Sequence, residues 1–339
     1  MCAALCVAAL PSFENVVDIR FTGEENYTID RIEDSGYSYS DEDVYFVQQN
    51  GKYLPLDTSA VTTYLDAIAS MDLQTYATYN VTEEELASYY LDEPELSITV
   101  NYTYTDEESE EDAQIPGSCV VHISRDPEEL KAAQESEADE ENAESVSMFV
   151  RVGDSQIVYE MDSELYEILF DASYDALRHK EVFWAGFEDV YQIDVTLEGT
   201  EHTLVSELDE DKNRIWHYQD QGTTIAATEE TTETVAEETD GDAAAEAEEA
   251  VEEALDLTDF QNALNALSAS SFTSEQPTEK EEIRLTLYLE NENFPKVEII
   301  LYRYDGTNCL AVIDGVSVSL IPRSSVMDLV EAVQAIVLN

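Results

Sequence analysis

The sequence predicts an α+β fold of two similar strand-rich units, each an antiparallel sheet packed with amphipathic helices and interrupted by an acidic insert. Three observations predict it. The chain has 339 residues, which at roughly 100–200 residues per domain suggests two domains. Short alternating segments give way to helical spacing, and the same order recurs in the second half. Two stretches rich in Glu, Ala and Thr, almost without Lys, Arg or aromatics, interrupt the pattern. They hold too little apolar surface to offset the entropy of ordering, so they are expected to be disordered.

Residues 16–22 (VVDIRFT), 27–32 and 44–49 alternate β-branched or aromatic residues with polar ones and read as strands separated by turns. Asp57, Thr58 and Ser59 then supply N-cap chemistry ahead of Val61, Leu65, Ile68 and Met71, whose spacing predicts an amphipathic helix. Residues 81–90 predict a second, shorter helix opened by a capping box of Thr82 and Glu85. Strands follow at 96–104 (LSITVNYTY), 120–124 and 147–159, the last turning at Gly153 and Asp154. Residues 163–177 predict another amphipathic helix, lined by Leu165, Leu169, Ala172 and Leu177.

The order then repeats. Residues 190–197 (VYQIDVTL) resemble 16–22, and 202–208 and 214–219 (RIWHYQ) follow as 27–32 and 44–49 did. The segment 257–267 (LTDFQNALNAL) matches the helix at 58–68 (TSAVTTYLDAI), and 282–290 (EIRLTLYLE) matches 96–104. Strands at 296–304, 309–313 and 316–321, the last two joined by Asp314 and Gly315, repeat the later strands, and 323–337 repeats the helix at 163–177. The expected organisation is an apolar leader at 1–11, a first unit at 12–180 with an acidic insert at 106–144, and a second at 181–339 with an insert at 223–254. The leader is far shorter than the roughly 20 apolar residues that span a bilayer, and it reads either as the remnant of an anchor or signal helix or as a frayed terminal segment or first strand.

Charge narrows the function classes. The chain carries 77 Asp and Glu against 15 Lys and Arg, a net −62. Phosphate backbones and anionic headgroups are held chiefly by Lys and Arg, so neither nucleic acid nor an anionic membrane surface is an expected partner. A cationic partner is compatible with this charge, and so is a purely solubilising role. The 20 Tyr against 10 Phe suit sheet faces where a ring packs and its hydroxyl stays wet. Cys2, Cys6, Cys119 and Cys309 form no C-x-x-C pair, which argues against a disulfide scaffold or a zinc site.

A search for chemistry finds no recognisable centre. His122, His179, His202 and His217 show no zinc-binding spacing, no calcium loop pattern occurs, and there is neither a phosphate-binding glycine motif nor a nucleophile elbow. No catalytic, cofactor-binding or metal-binding residue is therefore expected, and the chain reads as a non-enzyme. The distinctive stretch is 302–312, with Arg303 one of few cations in an acidic chain. Arg303 and Arg323 are candidate anchors for an anionic ligand or a partner carboxylate. The plainer and weightier reading is that each offsets nearby Asp and Glu on the sheet.

Segments 262–272, 285–295 (LTLYLENENFP), 302–315 (YRYDGTNCLAVIDG) and 324–337 resemble the C-terminal half of a family called domain of unknown function 4340. Residues 53–104 resemble its N-terminal half. The resemblance implies a bacterial envelope protein outside the cytoplasm, anchored by one N-terminal helix in its full-length form or held at the cell surface. It also implies an accessory role beside the membrane subunits of an ABC-type transporter. The composition adds a second expectation, an acidic surface protein binding cations, cationic peptides or cell-wall polymers.

Overall fold

The alternating segments close into two antiparallel sheets in the computed structural model, which describes residues 10–11, 13, 15–23, 26–105, 114–136, 146–161, 163–210, 212–219 and 254–337. The chain divides into two compact units, Met1–His179 and Lys180–Asn339. It is strand-rich α+β, with the helices packed on the sheets.

The first unit runs β1 (Val16–Gly23), β2 (Tyr27–Arg31), β3 (Tyr45–Gln49), β4 (Lys52–Pro55), α1 (Thr58–Ala69), β5 (Tyr76–Thr78), β6 (Leu96–Thr105), β7 (Gln114–Arg125), α2 (Pro127–Ser136), β8 (Met148–Val152), β9 (Val158–Met161), α3 (Ser163–Phe170) and α4 (Tyr174–Leu177). Its sheet order is β4-β3-β2-β1-β6-β7-β8-β9-β5. Asn50 and Gly51, at φ 51° and 77°, make the tight β3–β4 turn that needs two left-handed residues. Asp57 caps α1 by accepting the Ser59 and Ala60 amides at 2.8 and 3.2 Å. Val61, Tyr64, Leu65 and Ile68 of α1 join Ile19, Ile29, Ile98, Val121 and Ile123 of the sheet in one core. The Tyr64 hydroxyl donates to the Leu169 carbonyl at 2.8 Å, tying α1 to α3.

The second unit runs β10 (Val190–Leu197), β11 (Thr200–Leu208), β12 (Arg214–Gln219), α5 (Thr258–Asn265), β13 (Ser271–Phe272), β14 (Glu281–Leu289), β15 (Lys296–Arg303), β16 (Asn308–Ile313), β17 (Val316–Pro322) and α6 (Arg323–Val337). Its order, β12-β11-β10-β14-β15-β16-β17-β13, matches the first sheet strand for strand once β4 is set aside. Alternation along β14 buries Ile283, Leu285, Leu287 and Leu289 on one face, where helices α5 and α6 supply Phe260, Leu264, Val326 and Leu329.

Finer features coincide as well. The β1–β6 register slips by one residue between Val16 and Asp18, and the β10–β14 register slips between Val190 and Gln192. The bulged residues, Val17 and Tyr191, are both exposed. Just before the helix, the Leu56 amide bonds the Tyr45 carbonyl at 2.9 Å, and the Leu255 amide bonds the Trp216 carbonyl at 2.8 Å. Asp256 then accepts the Thr258 amide at 2.9 Å, as Asp57 accepts that of Ser59.

Several expectations need correction. Residues 106–144 are not one insert, because 114–125 form β7 along the whole of β6 and 127–136 form α2. Cys119, Val121 and Ile123 bury the inner face of that strand. The acids that suggested disorder serve as a helix start: Asp126 accepts the Glu128 and Glu129 amides, and those two carboxylates sit in the first turn where the dipole favours them. Residues 81–90 form only a one-turn 3₁₀ segment, Leu86–Tyr89, closed by Tyr90 at φ 58°. Glu85 does bond the Thr82 amide and hydroxyl, but the run is too short to propagate. The helix at 163–177 breaks after Phe170, where Ser173 caps a separate turn by accepting the Ala176 amide. Most of the leader, residues 106–113 and 137–145, and the insert at 223–254 except Ala254 lie outside the described residues.

Candidate functional site

Arg303 ends β15 opposite Cys309 of β16, which in turn faces Ile321 of β17, so the three share one face at one end of the sheet. Arg323 opens α6 just after β17, and its amide donates to the Thr307 carbonyl at 2.8 Å. The structure thus brings both arginines to the β16 start. They differ in engagement. Arg303 Nη2 and Nε reach Glu282 Oε1 at 2.6 and 2.7 Å, while Arg323 Nε is buried with no hydrogen-bond partner among the described residues. Burial pushes the Cys309 thiol up to about 11, with Glu282 adding to the rise and Arg323 and Arg303 opposing it. In the neighbouring loop, the Asp305 carboxylate accepts the Thr307 and Asn308 amides at 2.6 Å each, which holds its carboxyl down at about 2.

The first unit carries the same ion pair. Leu96 pairs with Ile123 as Ile283 pairs with Leu301, so Glu95 stands where Glu282 stands and Arg125 where Arg303 stands. Arg125 Nε donates to Glu95 Oε2 at 3.1 Å and Nη2 donates to Oε1. The surroundings differ. Arg125 lies 4.1 Å from the centroid of the Tyr166 ring and 5.4 Å from that of Phe170, and these rings stack at 4.6 Å. At the corresponding α6 positions stand Val326 and Val330, and Arg303 is 45% exposed against 23% for Arg125. Burial first, then the Glu95 charge, pushes the Tyr166 hydroxyl far above the ordinary tyrosine range.

Beside this pair lies a cavity of about 280 Å³, walled by Phe21, Tyr27, Phe170, Glu95 and Ser173. Phe21 and Tyr27, neighbours across β1 and β2, stack at 4.5 Å. Glu95 is fixed from behind: its amide donates to Ser124 Oγ, which donates to the Tyr90 carbonyl. Gly23 permits the approach, since a Cβ there would lie 2.5 Å from the Glu95 carbonyl oxygen.

The histidines scatter. His122 Nδ1 bonds Ser97 Oγ and His202 Nδ1 bonds the Tyr218 hydroxyl, each at 2.8 Å. His179 Nε2 meets buried Asp43 at 2.8 Å, and Asp43 also accepts the Ser38 hydroxyl. In this chain the carboxylate stands between serine and histidine, which is not the order that activates a nucleophile.

Fold and site define a two-unit α+β protein with a strand-end arginine–glutamate pair in each sheet. The chain belongs to the family described as Domain of unknown function (DUF4340), whose sequence pattern matches residues 47–286. That span runs from β3 of the first unit to β14 of the second and stops short of 302–315 and α6, which also carried the resemblance. No curated protein and no solved structure matches the chain. Among the described residues, no helix is long and apolar enough to cross a membrane.

Proposed function

We propose that this chain is a non-enzymatic module of a bacterial cell envelope, lying outside the cytoplasm, built from two copies of one fold unit and serving an ABC-type transport complex as an accessory part. The observation that carries the two-copy reading is the shared strand order with its shared bulge, aspartate turn ahead of the helix and ion pair. Agreement at these several points supports two copies of one unit. A repeated Arg–Glu pair at one sheet position reads as a device that holds strand ends together. The envelope and transporter parts of the proposal rest on family resemblance. They are tested by purifying the tagged protein from membranes of its host: recovery of transporter subunits is expected, and recovery of the protein alone overturns them.

A second reading, an acidic binder of cationic peptides, is favoured by the net charge of −62. Calorimetric titration with a cationic peptide at physiological salt is expected to give saturable heat, and its absence rejects this reading.

A further inference from the structure

We propose that the aromatic cavity of the first unit is a socket for the ammonium end of a lysine side chain carried by a cationic peptide. The inference deepens the second reading above and rests on it. It starts from a difference between two otherwise matching places. Both units keep the Arg–Glu pair, so the pair itself requires no aromatic neighbours. Yet the first unit gathers Phe21, Tyr27 and Phe170 beside Glu95, where sheet register and helix alignment put Val195, His202 and Val330 beside Glu282. Three rings from β1, β2 and α3 meet at this one site, and they line a half-open space.

The chemistry of the walls selects the occupant. The volume, about 280 Å³, falls just under the range of drug-sized pockets, roughly 300–1,000 Å³, and suits a single side chain. Aromatic faces attract cations, and the Phe170–Tyr166 stack already holds the Arg125 guanidinium at 4.1 Å from one ring. Each Glu95 oxygen takes one bond from Arg125 and keeps a further lone pair for a donor. Ser173 Oγ, which accepts from Ala176, adds a hydroxyl at the rim. A lysine lays its methylenes along the rings and turns its N–H groups to the carboxylate. An anionic ligand meets Glu95 and a chain of net charge −62, which disfavours it.

The test replaces the rings by the residues of the other unit, Phe21→Val, Tyr27→His and Phe170→Val together, and titrates a lysine-containing peptide and its norleucine analogue by calorimetry at physiological salt. The expected result is saturable binding of the lysine peptide, weakened about tenfold or more by the triple substitution, with the norleucine peptide silent. Amide shift mapping on the unsubstituted protein is expected to centre on Phe21, Tyr27 and Phe170; shifts centred elsewhere overturn the socket even if the triple variant fails to fold. Lysine-peptide binding that the substitution leaves unchanged overturns the socket while sparing the second reading. Equal binding of the norleucine peptide overturns it too, and no saturable binding by the unsubstituted protein rejects both.

Discussion

Ile98 and Leu285 occupy matching positions in the central strands β6 and β14, each fully buried, and replacing either by Ala separates the stabilities of the two units. Ile98→Ala deletes three carbon atoms at a site with no exposure. At about 0.8 kcal/mol per methylene the transfer loss is about 2.4 kcal/mol, and the cavity left behind raises the cost to about 3 kcal/mol, inside the usual 2–5. With a urea slope of about 2 kcal/mol/M for a unit of this size, the midpoint falls by about 1.5 M. Both tryptophans, Trp184 and Trp216, lie in the second unit, so indole fluorescence reports that unit alone while far-UV dichroism reports both. Ile98→Ala is expected to move the dichroism transition of the first unit and leave the fluorescence midpoint in place, and Leu285→Ala to shift the fluorescence midpoint by a similar amount. An Ile98→Ala variant whose fluorescence midpoint drops by the same amount, about 1.5 M, refutes the reasoning, because the two cores would then melt as one cooperative block.

Three further outcomes follow from the sites. Arg125→Ala is expected to destabilise the first unit by about 1–3 kcal/mol, because it removes a cation sandwiched between a carboxylate and two rings, whereas exposed Arg303→Ala costs the second unit under about 1 kcal/mol; urea midpoints from dichroism and fluorescence check the contrast. Burial, reinforced by Arg151, holds the His122 ring below the usual histidine value, so its neutral form is the native one. That contribution is fully present above the unfolded value of about 6.5 and is lost as pH falls through the lower folded value; the urea midpoint of the first unit is expected to drop less on acidification in His122→Gln than in the unsubstituted chain. Burial raises both the Cys119 and Cys309 thiols, so in a Cys2→Ser, Cys6→Ser background a thiol reagent at about pH 8 is expected to react only after denaturant is added, and prompt native labelling contradicts the burial.

How much of this was legible in the sequence depended on segment length. Strands such as β6 and β14 are long enough to alternate several times and declare their period. Strands β4, β5 and β13 have four, three and two residues, too few for a period to show, and exist because a neighbouring strand offers an edge. The stretch around α2 misled for a different reason: its acids satisfy a helix N-terminus, a local geometry that composition does not encode. At the site, Arg303 stood out only as a rare cation. Its counterpart Arg125 and their partners were missed because Glu95 and Arg125 are 30 residues apart and meet only through sheet register. A signal was nonetheless present. Glu95-Leu-Ser-Ile-Thr-Val aligns with Glu282-Ile-Arg-Leu-Thr-Leu, and both β7 and β15 end on Arg. Setting the two halves against each other at single-residue register would have disclosed both pairs.

That register also separates what the two units share from what one of them holds alone. The bulge, the aspartate turn ahead of the helix and the Arg–Glu pair occur in both units. Phe21, Tyr27, Tyr166 and Phe170 occur in the first, where the second has Val195, His202, Val326 and Val330. Arg323 stands alone in the second unit, where its charge, like that of Arg303, opposes the rise of the buried Cys309 thiol. Of the residues that distinguish the first unit, Phe21, Tyr27 and Phe170 line its cavity, and that coincidence is the reason to test recognition there.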